Sequence, residues 1–175
     1  MRSSSSDYSR RDKSKDRVVF SYDGFSSYLL IVDEASRYVW VFLTNSKSPP
    51  IDIVKEFLTQ HGHKDGGCIR TDQGGKLARS TAFQDMLLRD YHYTLEPTGA
   101  DSPSQNGAVE IYNDKFAVRT CTLLYSSGLP AKFWLAALLH SVYLHNRLVH
   151  RETKATPFER YFGQKPDLSH LKVLG

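Results

Sequence analysis

Hydrophobic positions along the chain follow two rhythms, and the change between them divides it. From Arg17 to Thr44 the apolar residues come in short β-rich runs: Val18 to Tyr22, Tyr28 to Val32 and Tyr38 to Thr44. Asp23-Gly24 separates the first two runs and the turn sequence EASR, Glu34 to Arg37, the last two. The pattern predicts an antiparallel meander of three strands that opens as a hairpin. After Pro49-Pro50 the period lengthens. Ile51, Ile53, Val54, Phe57 and Leu58 mark one face of a helix from about Ile51 to Gln60. Gly66-Gly67 lead into a short strand, Cys68 to Thr71, and Thr81 can cap a helix through Leu88. A further strand runs from Tyr91 to Pro97. Strand, helix and strand in this order favour parallel pairing through a right-handed crossover.

A polar loop, TGADSPSQNG, follows Pro97. Behind it Val109, Tyr112, Phe116 and Leu123 recur at helical spacing, which predicts a helix from Ala108 to Ser126 stopped by Gly128. Glu110 lies off that stripe, in the first turn. Pro130 opens another long helix, apolar nearly all round and therefore expected to be largely buried. A short helical piece is expected in the tail before an irregular end.

Composition narrows the class without naming a function. The 175 residues suit one domain with its own core. The 23 basic against 19 acidic residues leave a formal charge of +4, which permits a polyanionic partner without requiring one. The excess is uneven, since the first 17 residues carry six basic and three acidic side chains and read as a solvated arm. Two cysteines, Cys68 and Cys121, form no CxxC pair, so neither a zinc knuckle nor a disulfide framework is indicated, and reduced thiols in a nuclear or cytoplasmic setting fit. No apolar run reaches membrane-spanning length.

Chemistry concentrates around CIRTDQGGKLARS, Cys68 to Ser80. A strand that stops at Asp72 and passes at once into Gln73-Gly74-Gly75 exposes its last side chain at a sheet rim, where α/β folds keep their ligands. Asp and Gly also make ordinary turns, so this stretch alone reads first as a connection. Glu110 supplies a second carboxylate on the helix after the next strand. Two such acids, with a third from the first strand, can hold two divalent ions about 3.5–4 Å apart, and oxygen donors suit Mg²⁺ or Mn²⁺.

RTDQGGKL resembles the S-D-N-G-G-E-F signature of retroviral-type integrases, and SPSQNGAVE resembles their P-x-x-Q-N-G-x-x-E segment. The 38 positions from Asp72 to Glu110 are close to that family's spacing. YLLIVDEASRYVWVFLTNSKSPP, SGLPAKFWLAALLHSVYLHNR and TPFERYFGQKPDLSHLKVLG resemble the corresponding stretches of Ty1/copia-type retrotransposon polyproteins. The likeness runs in order from about Ser21 to Gly175. It implies a ribonuclease H-like α/β fold, a mixed five-stranded sheet with an antiparallel meander and then parallel strands, flanked by helices. It further implies metal-dependent 3′-end processing and strand transfer on DNA, with Asp72 and Glu110 as catalytic metal ligands. Element ends and target DNA are the expected partners, a homodimer the expected assembly, and the virus-like particle and nucleus the expected setting. On this reading residues 1–16 are an arm, 17–150 the catalytic core and 151–175 its C-terminal extension.

Three departures from the family pattern bear on activity. The family's D-x-x-G-P-like context for the first acid is missing, leaving Asp16, just before Val18 to Tyr22, as a weak stand-in. The alternative is that the acid and its strand lie upstream in a longer polyprotein. Gln73 and Lys76 replace the signature's Asn and Glu. After Glu110 the helix reads EIYNDK, keeping Asn113 but placing Asp114 at a usually basic position. Lys76, Gln105, Asn106, Lys115 and Arg119 are the candidate DNA contacts, although exposed charges are often only solvated and Asn106-Gly107 is also a plain turn. Asp33 and Glu34 read as turn residues, and His61-Gly62-His63-Lys64 as a polar helix end rather than a metal site. A non-catalytic nucleic-acid-binding or interaction module derived from such a core is the competing reading.

Overall fold

The computed structural model describes the backbone of residues 20–45, 50–71, 77, 79–97 and 103–171, and the side chains of these except 97 and 103–110. Among the described residues four strands and five helices are arranged in the order β1 (Ser27–Val32), β2 (Val39–Thr44), α1 (Ile51–His61), β3 (Gly67–Thr71), α2 (Thr81–Tyr91), β4 (Tyr93–Pro97), α3 (Pro103–Ser127), α4 (Trp134–Arg147) and α5 (Pro157–Phe162). A single 3₁₀ turn, Ala131–Phe133, leads into α4. β1 and β2 form an antiparallel hairpin with Val32 opposite Val39. β3 and β4 form a separate parallel pair with Arg70 opposite Glu96. The fold is mixed α/β, and the described strands make two two-stranded sheets.

The hairpin separates two cores because alternate side chains leave opposite faces of a strand. Tyr28, Leu30, Val32, Val41 and Leu43 pack with Val39 against Tyr112 and Phe116 of α3 and Leu135, Leu138 and Val142 of α4. Leu29 leaves by the other face, toward the core that α1 and α2 build with the parallel pair from Val54, Leu58, Phe83, Met86, Leu87 and Tyr93. Phe83, Leu87 and Phe116 are almost fully buried, each contributing about 2–3 kcal/mol of apolar burial. The outer face of β2 carries Trp40, which meets Phe57 of α1 and Tyr161 of α5 edge-on, with ring centroids 5.0 and 4.9 Å away. Through that contact and the stacked Tyr38–Tyr161 pair, α5 closes over the hairpin. Thr156 caps α5 by accepting from the Glu159 amide, and Gly163 ends it in a left-handed conformation.

Several boundaries differ from the sequence expectation, each for a local reason. Phe20 to Tyr22 form no strand, while Val18 and Val19 lie outside the described residues. Their amides are engaged elsewhere: Ser21 N donates to Phe25 O at 2.7 Å and Tyr22 N to Lys132 O at 2.8 Å. Tyr22 stacks on Phe133 with ring centroids 5.8 Å apart, so this segment lies against the entry to α4. The Asp23-Gly24 turn does form, with Gly24 at φ +82°. Ser80, not Thr81, caps α2, its hydroxyl accepting from Phe83 N. That helix runs past Leu88 to Tyr91, and His92 in a left-handed conformation delays β4 to Tyr93. Helix α3 starts at Pro103, so Gln105, Asn106 and Gly107 belong to it rather than to the preceding loop. Proline at the first helical position needs no amide partner. Helix α4 is buried on one side only, since Leu139 remains 41% exposed.

Two positions show how local chemistry sets the layers. A Cβ on Gly66, at φ +81°, would fall 2.1 Å from the His92 carbonyl, so only glycine lets β3 enter this close to β4. Asn146 on α4 reaches β2 with both ends of its carboxamide, Oδ1 accepting from Val39 N at 2.9 Å and Nδ2 donating to Val39 O at 2.8 Å. Asn146 is buried, so its loss leaves two backbone groups without partners or water. Asn146→Ala is expected to lower stability by about 2–4 kcal/mol in urea unfolding, and Asn146→Asp similarly, because a carboxylate cannot donate to Val39 O. A loss below about 1 kcal/mol in both variants would show that this pairing does not hold α4 to the hairpin.

Candidate functional site

The parallel pair and the helix that follows it frame the candidate site. β3 ends at Thr71, opposite Pro97 at the end of β4, so both strands present their carboxyl ends at one edge. That is the edge where open α/β sheets bind ligands. Glu110 follows on α3, seven residues after Pro103. Asp72, Lys76 and Asp16 themselves lie outside the described residues, and Gln105, Asn106 and Glu110 are described as helical backbone only. Asn113, one turn after Glu110, lines an open cleft of about 540 Å³ with Ser26, Ser27, Tyr28 and Trp134. This cleft runs from the start of β1 to α3.

At the end of β3, Arg70 is held from two sides, which sequence reading did not single out. Its Nε donates to Glu96 on β4 at 3.1 Å and its Nη1 to Glu34 of the hairpin turn at 2.8 Å. The guanidinium is thereby committed to carboxylates rather than open to a phosphate, and the pair with Glu34 joins the hairpin to the parallel sheet. The register Arg70↔Glu96 was the only available signal, and it emerges once the two strands are paired in parallel. Cys68, beside this ion pair, is exposed and reduced. Burial, followed by the neighbouring Glu96, raises its thiol above the ordinary range, which keeps it protonated and a poor nucleophile.

The residues set aside as structural behave so. Asp33 Oδ2 accepts from the amide and hydroxyl of Ser36 at 2.7 and 2.5 Å, closing the hairpin turn, and Glu34 pairs with Arg70. His61 occupies the last turn of α1 with Nδ1 3.1 Å from the Tyr161 hydroxyl. Among the described residues no group of three or more His, Cys, Asp or Glu side chains is arranged to hold a metal ion, and no helix is long and apolar enough to cross a membrane.

Lys115 and Arg119 are the candidate DNA contacts whose side chains are described. At about 100° per residue they stand roughly 140° and 180° around α3 from Glu110. Lys115 Nζ instead lies 3.3 Å from Nδ1 of the buried His145. An ammonium only donates, so His145 Nδ1 accepts and its Nε2–H points to Arg37 O at 3.2 Å. Arg37 sits at φ +65°, a conformation that this bond helps to hold. Burial first, and then the Lys115 charge, pushes the His145 pKa down to about 4, so the imidazole is neutral at physiological pH.

No family model matches the chain. It is similar to the retrovirus-related Pol polyprotein from transposon RE2 of Arabidopsis thaliana, at 30% identity over 168 residues that cover 90% of this chain and 11% of the relative. The Pol polyprotein from transposon TNT 1-94 of Nicotiana tabacum is 27% identical over 159 residues, covering 89% of this chain and 12% of the relative. The chain thus spans only about a tenth of the curated relatives it matches. In structure it resembles a chain of a simian T-cell lymphotropic virus intasome in complex with PP2A regulatory subunit B56 gamma, with TM-score 0.60 at 19% identity over 83% of this chain and 49% of that one. It also resembles the HTLV-2 integrase catalytic core domain in complex with magnesium in a trimeric form, with TM-score 0.56 at 21% identity over 81% of this chain and 89% of that one. These structural likenesses establish a mixed α/β fold resembling an integrase core.

The neutral His145 makes a signed prediction. Its folded pKa lies below the unfolded value near 6.5, so the unfolded chain takes up protons first as pH falls. Its share of stability is complete above about pH 6.5 and is lost toward pH 4. His150, also lowered by burial and by Lys115, acts in the same direction. Urea midpoints measured across that window are expected to fall more steeply for the native chain than for His145→Asn. Parallel slopes for the two proteins would show that His145 is not held neutral by the fold.

Proposed function

We propose that this chain is the catalytic core of a retrotransposon integrase, which processes DNA 3′ ends and joins them to a target. The observation that carries the reading is the order of β3, β4 and α3. Asp72 follows directly on the carboxyl end of the strand paired with β4, and Glu110 occupies the helix that comes next. The similarity to Pol polyproteins over nine-tenths of the chain supports it.

Asp72 and Glu110 are assigned as metal ligands, with Asp16 as the weak third, because an all-carboxylate donor set suits a hard divalent ion. Bound there, Mg²⁺ or Mn²⁺ would supply activation of the attacking oxygen and stabilisation of the leaving oxygen of a phosphodiester. The chain's own residues do the positioning. Gly74 and Gly75 keep side chains out of the way of a duplex next to Asp72. Gln105 and Asn106 in the first turns of α3, and Lys76 after the glycines, hold the DNA in register. The substrate is DNA, as element ends and as target, with a second copy of the chain as partner. The work takes place in the virus-like particle and the nucleus.

A five-stranded sheet of this kind has a central strand between those corresponding to β1 and β3, and we propose that such a strand joins the two described pairs. It would pair the free edges of both sheets, which otherwise leave backbone groups open. A second reading is favoured by one observation: Tyr22 is bound to Lys132 and Phe133, and Ser21 to Phe25, rather than to β1. If no acid reaches Asp72 and Glu110 from that side, the chain is a non-catalytic nucleic-acid-binding module.

Titration of Mg²⁺ and Mn²⁺ into the folded chain by calorimetry separates these readings. Binding lost in Asp72→Asn and in Glu110→Gln is expected for the catalytic core. Manganese-dependent joining of labelled DNA ends should then fall at least about 100-fold in either variant. Metal binding that survives both substitutions would overturn the assignment of the two acids. A folded chain that binds neither ion would favour the non-catalytic module.

A further inference from the structure

The cations on the far side of α3 meet others that are distant in sequence. Lys115 and Arg119 are four residues apart and stack on one side of the helix. The segment that leaves α4 brings His150 and Arg151 to the same place. With the buried His145 as floor, these side chains line a cleft of about 280 Å³, flanked by Leu148 and Val149.

Three properties give the cleft a chemistry. First, its charge is uncompensated among the described side chains: the ion pairs found there are those of Arg70, and neither engages Lys115, Arg119 or Arg151. The cations act on one another, since burial and then Arg119 lower the Lys115 pKa, and burial, Lys115 and Arg119 lower that of His150. Glu152 opposes this at His150 and Arg160 adds to it. Second, the floor is rigid. The His145 ring meets Tyr112 and Phe116 edge-on, each at 5.3 Å, and His150 at 4.7 Å. Its Nδ1 anchors the Lys115 ammonium at 3.3 Å, which leaves two ammonium protons free to donate outward. Third, Leu148 and Val149 are 51% and 65% exposed, an apolar flank of the kind a sugar covers.

We propose that this cleft binds a phosphate group, from a nucleic-acid strand or a free polyphosphate, at a site separate from the Asp72–Glu110 edge. Arg119 and Arg151 can each offer two parallel N–H donors to phosphate oxygens, and Lys115 adds a point charge held by His145. Bound anion relieves the repulsion among the three cations, so the site prefers two or more negative charges over one. The proposal does not depend on metal binding or on catalysis.

The test uses the full chain and two probes, a short labelled oligonucleotide followed by fluorescence anisotropy and inorganic pyrophosphate followed by the NMR titration of His150. Pyrophosphate in the cleft should raise the His150 pKa, because an anion favours the imidazolium. Lys115→Gln with Arg119→Gln, and separately Arg151→Gln, should weaken oligonucleotide binding about tenfold and reduce its salt slope by about one per cation removed. Tyr125→Ser, at the exposed far end of α3 and outside both sites, should leave both unchanged, which shows that any loss is specific to the cleft. Oligonucleotide binding that pyrophosphate displaces and these variants weaken would establish the cleft as a nucleic-acid contact. A His150 shift with pyrophosphate but no variant effect on oligonucleotide would assign it to free polyphosphate. If the variants fail to fold, the His150 shift in the native chain decides. No shift on saturation with pyrophosphate, together with unaltered oligonucleotide binding in the variants, would overturn the proposal.

Discussion

Val39 opens β2 with both its amide and its carbonyl turned away from β1, toward a helix more than a hundred residues later in the chain. Such an edge must be paired, covered or left to water. Here the carboxamide of Asn146 satisfies both groups at 2.9 and 2.8 Å inside a dry contact. That match fixes the height and rotation of α4 on the hairpin. With α4 so placed, Leu135, Leu138 and Val142 meet the hairpin face, and α3 is held against the same core by Tyr112 and Phe116. His145, the preceding residue, is carried to the Arg37 carbonyl and to Lys115. The position of α3, and hence of Glu110, therefore depends on one polar side chain in an apolar contact.

The hairpin and the parallel pair are joined mainly through what lies on and beside them. Leu29 carries the hairpin into the second core, and Arg70 bridges the Glu34 turn to β4. The ion pairs are solvent-exposed and contribute little energy. Their effect is directional, keeping the end of β3 next to the hairpin turn and the guanidinium occupied. The proposed active edge thus lies where the two sheets approach each other, beside the place assigned to a fifth strand. A site at that junction is sensitive to whatever completes the sheet.

On the proposed function helix α3 serves two electrostatic environments at once. Glu110 is assigned to a carboxylate edge suited to cations, whereas Lys115 and Arg119, around the helix from it, line a cationic cleft. A helix separates them because four residues bring a side chain back to one face while five or nine carry it across. Opposite charges on opposite faces neither neutralise nor directly pair, so each face keeps its own preference for ligands.

Much of this was legible in the chain. The two hydrophobic periods marked the hairpin, α1, α2 and α3, because a face that must be buried imposes its spacing on the residues. The Asp72 and Glu110 segments carried the family likeness, since their glycines and acids answer to chemistry rather than to packing. Three things were decided only by the tertiary structure. Phe20 to Tyr22 have the composition of a strand, yet the amides of Ser21 and Tyr22 found partners at Phe25 and Lys132; strand residues pair with whatever edge is offered. Gln105 to Gly107 read as a loop but entered a helix, because Pro103 starts one where the chain must turn back along the hairpin. The roles of Asn146, His145 and Arg151 had no local signal at all, and Lys115 was legible only as one basic candidate among several. Each depends on a partner far away in sequence, and such pairing exists only once the helices have packed.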